Sequence, residues 1–133
     1  TGSNTASFSA SSNLMGLAAN YTGMKQSGQP DANAVTSATS TTITATVTVG
    51  VTGCWLLGLS SDSSGANYAN GTGTKRVTSS DGAAIFDSNA NVSTGSQSTN
   101  ISVDNAGWAC VGVTFIEAPA DVTVTPDLRT YFY

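Results

Sequence analysis

The sequence predicts an all-β protein, an antiparallel β-sandwich of jelly-roll type with essentially no helix. Threonine alternates with apolar residues over Thr41–Val49, so Ile43, Ala45, Val47 and Val49 fall on one face of a strand and the threonines on the other. Turn signals built on Gly, Asn and Asp recur roughly every 8–12 residues, as in sandwiches and jelly rolls. No segment combines helical periodicity with capping residues.

Each strand is predicted from its own pattern. The apolar run Leu14–Tyr21 is flanked by Ser, Asn, Thr and Gly, which favours a strand over a helix. Cys54–Leu59 is almost continuously apolar, which is typical of a strand buried on both faces. Pro119 follows the last strong strand and stops it, because proline cannot donate to a ladder. The other predicted strands are about Thr74–Thr78, Ala83–Asp87, Ser96–Val103 and Trp108–Ile116, with loops at Lys25–Asn33, Ser60–Gly73 and Asn89–Gly95 and a turn at Asp104–Gly107.

The 133 residues have the length of one domain. We expect residues 1–119 to form the sandwich and residues 120–133 to form a connector or exchanged strand. That tail ends in Tyr131, Phe132 and Tyr133, which are too apolar to lie comfortably in water and are expected to pack on a neighbouring subunit or on the protein's own sheet. Only 9% of the residues are charged, so the surface is neutral and suits a virion or extracellular setting.

Composition argues against several classes of function. The net charge is −4 with four basic residues, whereas nucleic-acid binding requires clustered cations. No run of 18 apolar residues is present, so no membrane insertion is expected. The absence of histidine removes the usual general base and zinc ligand, and nearly all the acidic residues stand in turn contexts. We therefore expect no catalytic residues, no metal and no cofactor.

Two weaker sites can be named. Tyr68, in a loop rich in Gly and Asn, is the best candidate for an exposed ring that stacks on a sugar, with Asn67 and Asn70 beside it. Cys54 and Cys110 lie in the two most apolar strands. They are interpreted as two buried thiols, with a single disulfide as the alternative.

Six segments stand out in order along the chain: Leu17–Asp31, Thr41–Thr44, Cys54–Gly58, Gly71–Arg76, Phe86–Asn89 and Trp108–Phe115. Together they resemble a jelly-roll-like β-domain of phage structural proteins and bacterial surface proteins. The resemblance implies a non-enzymatic role and no catalytic set. Members of that family carry further strands before the first matching segment, so it also implies a sheet with an unpaired edge, completed by another subunit or by a part of the product that is missing here.

The expected function is that of a structural protein of a virion or extracellular appendage, a fibre, tail or decoration component that self-assembles as a homo-oligomer or with other structural subunits. The alternative is a carbohydrate-binding or adhesive module that recognises surface glycans through the loops Ser60–Gly73 and Asn89–Gly95 at one end of the sandwich.

Overall fold

All the strands belong to one antiparallel sheet. The computed structural model describes residues 17–63 and 67–119, and this part of the chain contains no helix, so the all-β prediction is confirmed, while the sandwich and jelly-roll descriptions stay predictions. The strands are β1 (Asn33–Val49), β2 (Cys54–Asp62), β3 (Ala69–Asn70), β4 (Thr74–Ser79), β5 (Ala83–Val92) and β6 (Gly95–Ile116). Their order across the sheet is β1-β6-β2-β5-β4, and the short β3 pairs with β6.

The longest feature is the ladder between β1 and β6, which are 17 and 22 residues long. Pairing begins with Asn33 opposite Val113 and ends with Val49 opposite Gly95. Near its middle, Thr41 alone stands opposite residues 103–105 of β6. Extra residues on one strand bend it and increase its twist, so the ladder changes direction at this bulge.

The two halves of this ladder then face each other. Gly112 pairs with Ala34 in the first half, yet a Cβ added at Gly112 would lie 2.7 Å from Cγ2 of Val47 in the second half. The Thr36 hydroxyl donates to the carbonyl oxygen of Thr44 at 2.7 Å, which links the halves of β1 itself. The sheet is therefore folded back on itself, and the core lies inside the fold.

The core is small and is filled from both halves. Phe86 of β5 is fully buried, and its ring covers Gly58 of β2, which has no side chain to obstruct it. Trp108 is also inside, and its indole Nε1 donates to the Ser40 hydroxyl at 3.0 Å. The central cluster consists of Ile43, Ala45, Tyr68, Ala84, Phe86, Ile101, Val103, Trp108 and Cys110.

Several predicted boundaries are wrong for a common reason. The turn at Asp104–Gly107 does not exist, because these residues lie within β6, at and beside its bulge. The loop at Asn89–Gly95 is mostly strand, because β5 runs to Val92 with a bulge of its own. Asn, Asp and Gly mark a bulge as readily as a turn, so the described part of the chain has six strands, two of them very long, instead of about eight short ones. Residues 17–21 of the first predicted strand are irregular.

The contact between Gly58 and Phe86 gives a test of the core. A methyl group at Gly58 would overlap the Phe86 ring, so Gly58→Ala should lower the free energy of unfolding by about 1–3 kcal/mol. Gly107→Ala is the matched control, because a Cβ there would meet nothing closer than 3.8 Å. Urea unfolding followed by circular dichroism measures both, and equal midpoints would contradict this packing.

Candidate functional site

Asp87, a fully buried carboxylate, anchors the face of the sheet opposite the core. Its Oδ2 accepts hydrogen bonds from the Tyr21 hydroxyl at 2.8 Å and from Arg76 Nε at 2.7 Å. Its Oδ1 accepts from Arg76 Nη2 at 2.9 Å and from the backbone N–H of Asn89 at 2.8 Å. A buried carboxylate is tolerated only when it is paired and hydrogen-bonded, and Asp87 is both. Its role is to hold neighbouring segments together.

Two bulges bring the partners to Asp87. In β4, Arg76 is an extra residue between two successive pairs of the β4–β5 ladder. In β5, residues 88–90 stand opposite Leu56 alone, and Asn89 adopts a positive φ of 54°. Arg76 Nη2 also donates to Asn89 Oδ1 at 2.7 Å, which closes the cluster. Bulges commonly re-aim side chains in this way.

Tyr21 fastens the segment that precedes β1 to this cluster. Burial and the hydrogen bond to Asp87 raise the pKa of Tyr21 above its ordinary value, so the hydroxyl remains a donor. Farther along the segment, Gln29 Nε2 donates to the carbonyl of Ile116 at 2.8 Å and Gln29 Oε1 accepts from its N–H at 2.9 Å. The segment is thus held at two separate points on the sheet.

A groove of about 570 Å³ lies beside the cluster. The Tyr21 ring meets Trp55 edge to face, with centroids 6.4 Å apart and planes inclined at 61°. Both rings are half-buried, so Trp55 forms part of a wall open to solvent, although it lies in the strand Cys54–Leu59 that the sequence predicts to be buried on both faces. The polar and small residues around the two rings include Ala19, Asn20, Thr22, Arg76 and Glu117.

The predicted sugar-binding loop looks different from expectation. Tyr68 is only 8% exposed and donates its hydroxyl to Asp62 inside the core, so the expectation of an exposed ring is wrong. Burial and this hydrogen bond raise its pKa. Asn67 is exposed and donates to Asp104 at 3.3 Å, while Asn70 Oδ1 accepts from the backbone N–H of Lys75 at 2.9 Å. A buried ring offers no face to a sugar, which removes the premise of a site at Tyr68.

Cys54 and Cys110 are both buried free thiols, as the favoured interpretation held. Cys110 stands opposite Ser60 of β2, six residues along the strand from Cys54. Six residues of strand span about 20 Å, and a disulfide needs Cα atoms within about 7 Å, so the two thiols cannot pair in this fold. Burial raises the pKa of Cys110 to about 12, and burial with nearby Asp31 raises that of Cys54.

The described residues cover only some of the remaining predictions, which concern the C-terminal tail, metal binding and membrane insertion. Tyr131, Phe132 and Tyr133 lie outside the described residues, and the division at residue 119 stays a prediction. Within residues 17–63 and 67–119, no group of three or more Cys, Asp or Glu side chains is placed to hold a metal ion. The same residues include no helix long and apolar enough to cross a bilayer.

The second feature of functional interest is the outer edge of β1. No strand of the described chain pairs with that edge, and its 17 residues include no charged residue and no proline. The opposite edge, β4, carries Lys75 and Arg76 and is interrupted by a bulge. Charges and bulges are common protections against edge-to-edge pairing, so β4 is protected and β1 is not.

An apolar stripe runs to the unprotected edge on the face away from the core. Val35, Val111, Leu59, Ile85 and Val77 follow one another as cross-strand neighbours from β1 to β4. The exposed fraction of the residue is 72% at Val35, 39% at Val111 and 41% at Leu59, whereas Ile85 is buried. The stripe is therefore most exposed where it reaches β1.

No family model, curated protein or solved structure matches the chain. The resemblance to phage structural and bacterial surface domains stays a prediction.

Sequence reasoning missed the cluster around Asp87. Arg76 is one of only four basic residues, and Asp87 directly follows a buried apolar run, which are weak signals. The Tyr21–Asp87 bond joins residues 66 positions apart, and no local pattern encodes such a contact.

Removal of the Tyr21 hydroxyl tests the anchor. Tyr21→Phe keeps the ring against Trp55 but deletes a hydrogen bond to a buried carboxylate, so the free energy of unfolding should fall by about 1–2 kcal/mol. Thr46→Val is the control, since it removes a hydroxyl bonded at 2.8 Å to Ser98 on an exposed surface, and it should change stability little. Similar urea midpoints for both variants would contradict the anchoring role of Tyr21.

The raised pKa values predict a loss of stability in alkali. Folding lifts the pKa of Cys110 from 9.0 to about 12 and also raises those of Cys54, Tyr21 and Tyr68, so the unfolded chain releases these protons first as pH rises. Stability should be complete below about pH 8 and decline above about pH 9, where the unfolded thiols ionise. Urea unfolding across this pH range measures the free energy of unfolding. Cys110→Ala should show a shallower decline of this free energy with pH than the wild type. A flat profile up to about pH 11 would contradict the burial of these groups.

Proposed function

We propose that this protein is a non-enzymatic structural subunit that self-assembles through the outer edge of β1, in a virion or an extracellular appendage. The observation that carries the proposal is the length and chemistry of that edge. Seventeen consecutive strand residues lack any charge or proline, and no described strand covers them. Exposed backbone N–H and C=O groups along a strand are a template for another strand.

The stripe supports a protein partner at the same place. Val35 is a β-branched residue that is 72% exposed, and it continues an apolar row formed by Val111 and Leu59. Contiguous apolar surface of this kind marks interfaces more often than isolated exposed residues do. Main-chain pairing along β1 would extend the sheet, and the stripe would be covered at the junction.

A second copy of this chain is the simplest partner. The β1 edge carries no charge, so two such edges meet without repulsion, and antiparallel pairing of identical strands gives a closed two-fold interface. The β4 edge would meet another copy with Lys75, whose like charge opposes pairing, and with a ladder interrupted by a bulge. The asymmetry of the two edges therefore favours β1.

Self-assembly is tested by native mass spectrometry and electron microscopy of the full chain across a range of concentrations. We expect oligomers whose population rises with concentration. Val35→Lys should weaken association by about tenfold or more, because it places a charge on the pairing edge.

Val51→Lys is the matched control, since Val51 is 44% exposed but lies in the turn after β1, and it should assemble like the wild type. A chain that remains monomeric at every concentration would overturn the proposal. If both variants assemble as strongly as each other, the edge of β1 is not the interface.

A further inference from the structure

We infer that the groove between Tyr21 and Trp55 is a binding site for a neutral oligosaccharide. The site is independent of self-assembly, because it is built on the segment before β1 and on β2 and β4, whereas the proposed interface is the edge of β1. It is also distinct from the loop at Tyr68, whose ring is buried.

The aromatic wall is held in place before any ligand arrives. The Tyr21 hydroxyl is fixed by buried Asp87 at 2.8 Å, and its ring is braced against Trp55 at a centroid distance of 6.4 Å. Sugar rings present C–H groups on one face, and these pack on aromatic rings that are partly exposed and do not move. A wall that is already ordered binds with less loss of conformational entropy.

Polar side chains surround this aromatic wall, and they can form hydrogen bonds with the hydroxyl groups of a sugar. Asn20 and Thr22 are exposed at the groove, and Glu117 and Arg76 complete its lining. A sugar hydroxyl group both donates and accepts hydrogen bonds. The amide, hydroxyl, carboxylate and guanidinium groups of the groove together supply the matching acceptors and donors. An apolar peptide would leave this polar lining unsatisfied, whereas a saccharide would satisfy it.

The charges in the groove indicate a neutral ligand. Arg76 is bound to Asp87 through Nε at 2.7 Å and Nη2 at 2.9 Å, so its charge is compensated. Glu117 Oε2 accepts from Asn91 Nδ2 at 2.8 Å, and it is the carboxylate at the groove's surface. An acidic sugar would meet Glu117 without an uncompensated cation to offset it.

The dimensions suit an oligosaccharide. A volume of about 570 Å³ lies within the range of roughly 300–1,000 Å³ that is usual for small-molecule sites. The groove is open to the surface, so a chain of sugars can extend beyond it.

The experiment titrates the full chain with neutral hexasaccharides of glucose, mannose, galactose, xylose and N-acetylglucosamine, and with hexagalacturonate as the acidic comparison. Isothermal calorimetry measures binding to the wild type. Fluorescence of Trp108→Phe, in which Trp55 is the one remaining tryptophan, reports whether the sugar reaches the groove. We expect at least one neutral hexasaccharide to bind with millimolar or tighter affinity and to shift Trp55 emission.

A matched pair of variants locates the site. Ala19→Phe adds a ring at an exposed position of the groove and should lower affinity by about tenfold or more, whereas Ala69→Phe adds the same ring on exposed β3 and should leave affinity unchanged. Absence of binding by every neutral sugar, equal affinity in the two variants, or tighter binding of hexagalacturonate would each overturn the inference. A chain that binds sugar but stays monomeric would overturn only self-assembly.

Discussion

The long ladder between β1 and β6 is the constraint on which the rest of the molecule depends. A flat sheet of this small chain would expose both faces and enclose nothing. The bulge at residues 103–105 turns the ladder so that Ala45 and Val47 in one half approach Gly112 in the other. The missing side chain at Gly112 permits that approach, because a Cβ there would meet Val47. The core thus exists because one pair of strands folds back on itself.

The same device, an extra residue in a ladder, builds the cluster of opposite charges around Asp87. Arg76 and Asn89 sit in bulges of β4 and β5, and both turn toward Asp87 between them. Asp87 then receives Tyr21 and fixes the segment that forms the groove wall. Irregularities in the ladders therefore provide both the curvature of the sheet and the placement of its polar side chains.

Structure that depends on the local residue pattern could be predicted from the sequence. Structure that depends on pairing between distant segments could not. Alternation predicts the strand at Thr41–Val49 and a continuous apolar run predicts the one at Cys54–Leu59, and both segments lie in strands. Asp104–Gly107 carries turn residues, yet pairing with β1 holds it within a strand. Tyr68 lies in a segment with the composition of a loop, yet it is buried, because its hydroxyl donates a hydrogen bond to Asp62. Burial of a polar aromatic depends on a partner that only the folded chain supplies.

The distribution of apolar residues on β6 connects fold to function. At residues 110–114, where the two halves of the ladder approach each other, its core face presents Cys110, Gly112 and Thr114, which are small or polar, while Val111 on the opposite face is 39% exposed. The close approach of the two halves of the ladder requires small residues inside, so apolar bulk is displaced to the outside. A sheet folded this tightly acquires an outward apolar stripe, and that stripe ends at β1, the one long edge among the described strands that lacks charges and proline. The compactness of the core and the exposure of the apolar stripe at β1 thus have a common origin.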